Sequence, residues 1–265
     1  MTDYRLSDSD ANAYLDLIGV RKTNPSLQLL QEIISKTIKV IPFQNITMLD
    51  SERRRPTFDE INHLMLSGIG GICTVRNPFI HQLLVNLGFD AKMVASTMKQ
   101  PNCHITIIVS INDALWWCDP GNGFPYFSII RLGDESVKAH PFLEYRLVDV
   151  EGRWEMQHRR NENEWFTNYH FTTEFVDLEY FDEMYNSHYT VPAYGPFLTG
   201  LRLNKWTEDD GLILRNNTAT NSSHIQILND EGDFEKWVNQ NLSPLSTNDL
   251  LGSNKDIAKI WSVIQ

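Results

Sequence analysis

The sequence predicts an α+β fold with a helical first part, a strand-rich middle and a mixed final part. Up to Gly88, apolar residues recur at the spacing of amphipathic helices. After Gly88, short runs of alternating apolar and polar residues are separated by turn dipeptides, which is typical of antiparallel strands. A chain of 265 residues, 42% of them hydrophobic, is long enough to bury a substantial core.

Four helices are expected in the first part, each bounded by capping or stop signals. Thr57 and Glu60 have the spacing of a capping box at the start of the third helix. The fourth begins at Asn77-Pro78, after the glycine-rich turn 68–73, and ends at Gly88. The predicted helices cover residues 8–18 with Asp8 or Ser9 as cap, 25–41, 57–66 and 77–87.

The middle and final parts are interpreted from strand and turn signals. The turn dipeptides Asn112-Asp113 and Glu151-Gly152 separate strand pairs, and the polar stretch 216–223 is expected to be a surface turn. The predicted strands are 91–96, 104–111, 114–119, 146–150, 154–158, 165–171, 198–203, 212–215 and 224–228, and the predicted helices are 178–188, 233–241 and 254–264.

Composition and charge argue against several classes of function. A formal net charge of −11 does not favour broad binding to nucleic acids or anionic membranes, which requires clustered lysines and arginines. The chain begins with polar, acidic residues and contains no run of about 18 apolar residues, so we expect a cytoplasmic protein without a signal peptide or membrane helix. The 3 cysteines indicate free thiols in a reducing compartment.

Cys73 is a candidate nucleophile because it lies in a glycine-rich turn before a predicted helix. A cysteine attacks as its thiolate, which a nearby imidazolium or a helix N-terminus stabilises. Backbone N–H groups of the turn and the positive end of the helix can point at the sulfur. On this local pattern alone, a tight turn around a buried structural cysteine remains the alternative.

A histidine and a carboxylate are expected together on the next strand pair. If Asn112-Asp113 forms a two-residue hairpin turn, the register of the two strands is fixed. His104 then lies opposite Gly121, and Asp119 is its diagonal neighbour on the same face, roughly 7 Å away. A carboxylate on one ring nitrogen fixes the tautomer of a histidine and favours the imidazolium. A slip of one residue would put Asp119 on the wrong face.

The same register separates the three cysteines. Cys103 and Cys118 directly precede His104 and Asp119, so their side chains point to the opposite face and are interpreted as structural. The two thiols could also join His104 in a zinc site, but the C-x-x-C and H-x-x-x-H spacings are missing. We therefore expect no bound metal.

A set of short motifs occurs in a fixed order along most of the chain. The motifs are Ala13-Tyr-Leu15, Pro42-Phe-Gln-Asn45, Gly70-Gly-Ile-Cys73 to Asn77, Leu87-Gly-Phe89, His104 and Asp119-Pro-Gly-Asn-Gly123. In this order they resemble the arylamine N-acetyltransferase family, whose P-F-E-N and D-V-G-F-G segments are similar to the second and the last motif.

The resemblance implies a fold of three parts around a cysteine-protease-like catalytic core. They are an N-terminal helical bundle over residues 1–88 that carries the nucleophile, a central antiparallel β-barrel over 89–188 that carries the histidine and the aspartate, and a C-terminal α/β lid over 189–265. The resemblance also implies ping-pong chemistry, in which acetyl-CoA acylates Cys73 and an arylamine, hydrazine or related amine takes the acyl group. His104 would activate the sulfur and Asp119 would orient the histidine.

Departures from the family pattern occur beside Cys73 and Asp119. Ile69 stands where the family usually has arginine, and Val75 stands where it usually has glutamate or glutamine. Asn122 replaces the aromatic residue of D-V-G-F-G, which predicts a more polar acceptor pocket. These changes leave the three catalytic candidates in place and put the usual arylamine specificity in doubt.

The candidates for substrate contacts are less specific than the catalytic candidates. Phe43, Asn122, Phe124 and Phe127 are the candidate pocket residues, and core packing is the alternative for the aromatic residues that follow Asn122. The run Arg53-Arg54-Arg55 could attract the phosphates of CoA, although such runs are more often solvated.

Other functions use the same residue types. A cysteine hydrolase or transglutaminase-like enzyme would share the Cys-His-Asp logic and release the acyl group to water or another acceptor. An amide synthase of natural-product biosynthesis would take a carrier-bound acyl chain. A non-catalytic binding protein could retain the fold.

Overall fold

The computed structural model describes residues 4–50, 53–242, 244–251 and 257–263. Its first part is helical, as predicted, with the short strand β1 and the short helix α3 as additions. The elements of this part are α1 (Asp8–Ile18), α2 (Leu27–Val40), β1 (Phe43–Gln44), α3 (Ile46–Asp50), α4 (Phe58–Leu66) and α5 (Cys73–Asn86).

The helix caps confirm one prediction and correct another. Helix α4 has the predicted capping box, with both of its reciprocal hydrogen bonds. The cap of α1 is Ser7, not Asp8 or Ser9, because the Ser7 hydroxyl accepts a hydrogen bond from the Asp10 N–H at 3.1 Å.

Helix α5 begins at Cys73, four residues before the predicted start at Asn77. A proline inside a helix removes one N–H donor, so Pro78 leaves the carbonyl of Thr74 without its helical partner. The hydroxyl of Tyr185 donates to that carbonyl at 2.6 Å and replaces the lost bond. The helix therefore continues through Pro78 because a side chain from another element completes its hydrogen bonding.

The middle part forms an 8-stranded antiparallel sheet with the order β5-β4-β3-β2-β9-β8-β7-β6. The short strands β5 and β6 were not predicted; they lie at the two edges and do not pair with each other, so the expected barrel is an open half-barrel. The strands are β2 (Asp90–Thr97), β3 (His104–Ile111), β4 (Ala114–Cys118), β5 (Ile130–Arg131), β6 (Lys138–His140), β7 (Leu143–Val150), β8 (Arg153–Arg159) and β9 (Phe166–Val176).

The β3–β4 hairpin has the predicted two-residue turn. Asn112 and Asp113 have φ values of 53° and 57°, as the two central residues of a type I′ turn require. Ile107 lies opposite Cys118, which is the register that the sequence predicted. This register fixes the face from which the residues at the start of β3 and the end of β4 project.

The final part contains more strands than the sequence predicted. The expected strand at 198–203 is displaced to β10, and the expected surface turn 216–223 contains β12. Residues 254–256 and 264 of the last predicted helix lie outside the described residues. The elements are a 3-10 turn (Leu178–Phe181), α6 (Asp182–Thr190), β10 (Arg202–Trp206), β11 (Gly211–Arg215), β12 (Thr218–Thr220), β13 (Ile225–Ile227), α7 (Glu231–Asn241), α8 (Thr247–Leu251) and α9 (Ile257–Val263).

A second sheet joins the first and final parts of the chain. Its strand order is β1-β10-β11-β12-β13, so the β1 strand of the helical part pairs with β10. A core of apolar residues lies against this sheet and includes Ile46, Leu49 and Ile69 from the helical part. The turn before Cys73 therefore lies between the helical core and this second core. None of the described helices has the length and apolarity needed to cross a membrane.

Candidate active site

The turn before Cys73 is built so closely that it requires glycine. Gly70 has a φ of +73°, and a Cβ atom on it would lie 2.1 Å from the carbonyl oxygen of Pro42. Cys73 follows as the first residue of α5 and is 4% exposed. The apolar side chain of Ile72 caps none of the first N–H groups of the helix. The N–H of Val75 donates to the carbonyl oxygen of Ile72 at 3.0 Å, which leaves the N–H groups before it and the positive end of the helix beside the sulfur.

His104 and Asp119 meet as the hairpin register requires. His104 is the first residue of β3, Asp119 follows the last residue of β4, and both are buried. The Nε2 atom of His104 lies 2.7 Å from Oδ2 of Asp119. The other ring nitrogen, Nδ1, is left for the sulfur of Cys73.

Both oxygens of the Asp119 carboxylate accept hydrogen bonds from other elements. Oδ2 accepts a second bond from the Tyr169 hydroxyl at 2.7 Å. Oδ1 accepts bonds from the side-chain amide of Asn77 at 2.8 Å and from the N–H of Gly121 at 3.2 Å. The contact between Asn77 and Asp119 was not predicted, because the predicted start of α5 lies too late; a start at Cys73 puts Asn77 on the same helix face. Tyr169 comes from β9 and gave no local signal.

The charges around His104 favour its imidazolium form. Burial lowers the pKa of the His104 ring, but the negative charges and hydrogen bonds of Asp119 and Cys73 outweigh it and raise that pKa well above its ordinary value. Burial, together with the Asp119 charge, raises the pKa of Tyr169 well above its ordinary range. Tyr169 therefore remains a neutral hydroxyl that can donate to the carboxylate.

A buried arginine supports the loop that carries Asp119. Arg76, in α5, is 2% exposed and donates to the carbonyl oxygens of Pro120 at 2.8 Å and Ile41 at 2.6 Å. Burial lowers the pKa of Arg76 to about 10, so the guanidinium stays charged at neutral pH. It ties α5 to the loop that carries Asp119 and adds a positive charge near the carboxylate.

Helix α6 packs against the start of α5. The Tyr189 hydroxyl lies 3.1 Å from the hydroxyl of Thr74, and the Tyr185 hydroxyl bonds the Thr74 carbonyl. Burial and the negative charge of Cys73 are among the causes that raise the pKa of Tyr189 above its usual range. The side of Cys73 that faces α6 is thus lined by neutral tyrosines.

The surroundings of Cys73 differ from those of the other two cysteines. Cys118 is fully buried, and its sulfur lies 3.7 Å from the carbonyl oxygen of Ile107. Burial and the nearby Asp119 charge raise the pKa of the Cys118 thiol well above its ordinary value. Cys103 is also buried, and its carbonyl accepts a hydrogen bond from His188. Of the three thiols, Cys73 is the one whose charge and hydrogen bonding act on His104.

Two of the candidate pocket residues lie close to the catalytic candidates. Phe43 pairs with Gly71 through an isolated bridge, and its ring lies about 3.0 Å from where a Cβ atom on Gly123 would be. The side-chain carbonyl of Asn122 accepts a hydrogen bond from Asn168 at 3.0 Å. The Nδ2 atom of Asn122 is buried without a hydrogen-bond partner among the described residues.

The other two candidates make aromatic contacts on the half-barrel. Phe124 is in edge contact with His158, with ring centroids 4.6 Å apart. Phe127 stacks on His140 at 5.6 Å. Both side chains are partly buried and pack against apolar clusters, Phe124 in the half-barrel and Phe127 beside the helices.

The residues that depart from the family pattern have apolar or neutral surroundings. Ile69 is 4% exposed and belongs to the core of the second sheet, and Val75 is 2% exposed in the helical core. Gln44 stands at the glutamate position of P-F-E-N and donates to the carbonyl oxygens of Ile69 and Gly70 at 3.5 and 3.3 Å. The usual positions of a glutamate and an arginine are therefore neighbours, and both charges are absent here.

Two arginines of the run 53–55 form ion pairs with carboxylates of this chain. Arg54 forms an ion pair with Glu60, and Arg55 pairs with Asp182 and lies over the Tyr185 ring, so these two arginines are engaged with the protein itself.

Within the described ranges, no group of three or more histidine, cysteine, aspartate or glutamate side chains is placed to hold a metal ion.

Comparisons with known proteins agree on one family. A family model described as N-acetyltransferase matches residues 26–243. Arylamine N-acetyltransferase 2 of Mus musculus is 27% identical over 213 residues, covering 69% of this chain and 73% of that protein. Proansamycin X synthase of Amycolatopsis mediterranei is 25% identical over 177 residues, covering 62% of this chain and 68% of the synthase. The structure of Mycobacterium marinum arylamine N-acetyltransferase in complex with CoA superimposes with a TM-score of 0.82 at 20% identity, covering 96% of this chain and 99% of that one.

Proposed function

This chain belongs to the arylamine N-acetyltransferase family of acetyl-CoA-dependent enzymes, and on that premise we propose that it transfers an acetyl or other short acyl group from acyl-CoA to an amine through a thioester on Cys73. The observation that carries the proposal is the buried Cys73–His104–Asp119 arrangement, with Nε2 of His104 at 2.7 Å from Asp119. The charges of Asp119 and Cys73 hold the pKa of His104 high against the opposing effect of burial, which supports a thiolate–imidazolium pair.

The first half-reaction loads the enzyme. The Cys73 thiolate attacks the carbonyl carbon of acetyl-CoA, and N–H groups at the start of α5 stabilise the negative charge that develops on the carbonyl oxygen. The bond between the acyl carbon and the CoA sulfur then breaks. His104, as an imidazolium, gives its Nδ1 proton to the departing CoA thiolate.

The second half-reaction unloads it. An arylamine, hydrazine or related amine attacks the thioester carbon, and Nδ1 of neutral His104 accepts the proton that the amine loses. The bond to the Cys73 sulfur breaks, which releases the amide and restores the thiolate–imidazolium pair. Throughout, Asp119 keeps the proton of Nε2 in place and so keeps Nδ1 available.

Burial of the site supports transfer to an amine rather than to water. Cys73 is 4% exposed, His104 2% and Asp119 0%, so bulk water has little access to the thioester. We propose that Phe43, Asn122, Phe124 and Phe127 contribute to the acceptor pocket. The unpartnered amide of Asn122 supports an acceptor that carries a hydrogen-bond acceptor group, since leaving such a donor unpaired is costly.

Intact-mass spectrometry after mixing with acetyl-CoA tests the proposal. The wild type should gain the mass of one acetyl group, Cys73→Ala should gain none, and the matched control Cys118→Ala should still gain it. Addition of an aromatic amine or a hydrazine should remove the adduct faster than buffer alone. An adduct that survives in Cys73→Ala, or no adduct on the wild type, would overturn the role of Cys73 in acetyl transfer. Rapid loss without amine would favour a cysteine hydrolase.

The likeness to Proansamycin X synthase favours a second candidate, amide formation in natural-product biosynthesis with a different acyl donor. It would use the same three catalytic residues, so loading by a carrier-type thioester but not by acetyl-CoA would support it. The free thiols of Cys73, Cys103 and Cys118 support the further proposal that the protein works in the reducing environment of the cytoplasm.

A further inference from the structure

Three arginines that are distant in sequence form a positively charged cluster near the loop that carries Asp119. Arg202 and Arg215 lie directly opposite each other in the β10–β11 pair. The guanidinium carbon of Arg160 lies over the ring of Phe142, 3.6 Å from its centroid. Arg160, Arg202 and Arg215 are called the arginine cluster below.

A short chain of hydrogen bonds connects the cluster to the aspartate loop. Nη1 of Arg215 donates to Oδ1 of Asn204 at 2.7 Å. The amide of Asn204 in turn donates to the carbonyl oxygen of Gly123 at 2.6 Å. Gly123 is the last residue of the motif that begins at Asp119, so Arg215 is separated from that motif by one side chain.

A second chain of contacts leads from Arg160 to the same carbonyl. Phe142, beneath Arg160, packs against Trp206 with ring centroids 4.7 Å apart. The indole N–H of Trp206 donates to the Gly123 oxygen at 2.9 Å. Side chains alternate along β10, so Arg202 shares the face of Trp206 that is turned toward the loop.

The cluster has no counter-charge within the part of the chain that the structure describes. None of the ion pairs there includes Arg160, Arg202 or Arg215. Nε of Arg202 is buried without a hydrogen-bond partner. Burial, and then the charges of Arg202 and Arg160, lower the pKa of Arg215 to about 10, so it remains charged at neutral pH.

Like charges directly opposite each other destabilise a strand pair. Three uncompensated guanidinium groups in a chain of net charge −11 are therefore expected to meet an anion in the working protein. Planar guanidinium groups match the oxygens of phosphate, and charge-assisted bonds of this kind are the strongest hydrogen bonds available to a protein. The donor of the proposed reaction, acyl-CoA, carries a pyrophosphate and a 3′-phosphate.

We propose that the arginine cluster binds the phosphate groups of CoA while the acyl thioester reaches Cys73. This inference rests on the proposed acetyl transfer and adds the residues that recognise the polyanionic part of the donor. It also assigns the role to dispersed arginines instead of the run Arg53-Arg54-Arg55, in which Arg54 and Arg55 are paired with carboxylates.

Comparing two donors separates phosphate recognition from chemistry. The second-order rate constant for acylation of Cys73 is measured with acetyl-CoA and with S-acetylpantetheine, which lacks the nucleotide phosphates. Arg202→Gln and Arg160→Gln should each slow acylation by acetyl-CoA about tenfold, the effect of losing one charge-assisted bond. Acylation by S-acetylpantetheine should change by less than about twofold. Arg202→Lys, which keeps the charge, should recover part of the loss.

Arg153→Gln is the matched control, since it removes an exposed arginine that pairs with Glu155 and should affect neither donor. An equal loss with both donors would assign the arginines a structural role and overturn the proposal. Unchanged rates with both donors would also overturn it. Repeating the measurement with acetyl-dephospho-CoA identifies whether the 3′-phosphate or the pyrophosphate is bound.

The experiments distinguish a failure of the proposed acetyl transfer from a failure of the proposed phosphate site. If neither donor acylates the wild type, the acetyl-transfer proposal falls, and calorimetric titration with CoA itself then tests the cluster. Tighter binding to the wild type than to Arg202→Gln, weakened further by added salt, would retain the phosphate site. Equal binding to both proteins would remove it.

Discussion

Replacing Asp119 by asparagine tests how the carboxylate sets the protonation of His104. The two side chains have nearly the same shape, but the amide carries an NH2 group where the carboxylate has an acceptor. In the structure, Oδ2 accepts from His104 and Tyr169 at 2.7 Å each. Oδ1 accepts from Asn77 at 2.8 Å and Gly121 at 3.2 Å. In either orientation, the NH2 group of the variant therefore faces two donors.

The orientation follows from which donors can become acceptors. The backbone N–H of Gly121 cannot accept, and the Asn77 amide keeps its NH2 group toward position 119 because that group also donates to the carbonyl oxygen of Ile105. His104 can accept if its proton moves from Nε2 to Nδ1. The NH2 group of Asp119→Asn should therefore face His104 and hold the proton on Nδ1, where it prevents removal of the thiol proton. The same tautomer change in a serine protease lowers kcat by about 10⁴. We expect acylation of Cys73 to fall by about 10³ to 10⁴, or about 4 to 5.5 kcal/mol.

Single-turnover acylation across pH is the assay, with mass spectrometry as the readout. In Asp119→Asn the rate should rise with pH through the range in which an unassisted thiol ionises, about pH 8.5. Asp113→Asn is the matched control because it makes the same substitution at an exposed turn position, where asparagine is well suited to a positive φ. A folded Asp119→Asn that acylates within about tenfold of the wild-type rate at neutral pH would refute the reasoning.

Two further predictions concern stability. Although burial opposes it, the charges of Asp119 and Cys73 raise the pKa of His104 well above its ordinary value. This contribution to stability is therefore fully present below about pH 6.5 and is lost as pH rises through the folded-state pKa. Urea unfolding across pH should show this alkaline decline in the wild type and a smaller one in His104→Gln; identical slopes would contradict the prediction. Gln44→Glu or Ile69→Arg alone buries an uncompensated charge and should cost about 3–5 kcal/mol in the free energy of unfolding. The double variant should recover at least about 1.5 kcal/mol, and strictly additive losses in chemical unfolding would show that the two side chains do not meet.

The hairpin shows what local sequence can predict about the site. The turn residues Asn112-Asp113 favour a type I′ turn, the turn fixes the register, and the register brings His104 and Asp119 to one face. The prediction needed no contact between distant parts of the chain. Its success reflects the strict two-residue period of a strand, which a turn of known length converts into a position.

The hydrogen-bond donors to Asp119 could not be predicted from local sequence, because their positions depend on long-range packing. Tyr169 reaches the carboxylate from β9, across a separation of 50 residues. Asn77 was interpreted as a helix start because proline at position 78 favours the first turn. The helix begins earlier because the Tyr185 hydroxyl satisfies the carbonyl that the proline leaves unpaired. The sequence predicted a closed barrel where the structure has an open sheet. The reason is similar, because no local pattern indicates whether two edge strands pair with each other.

The departures from the family pattern change the packing beneath the turn before Cys73 without leaving a charge unbalanced. The positions of the usual glutamate and arginine are neighbours here, and they hold Gln44 and Ile69. A single buried charge without a partner is costly. Replacing both the glutamate and the arginine by neutral residues is therefore tolerable, whereas replacing only one of them is not. The hydrogen bonds that orient His104 come instead through Asp119, from Tyr169 and Asn77, which are intact. The substitutions should therefore change how the turn before Cys73 packs, while the hydrogen bonds that hold His104 and Asp119 in place are kept.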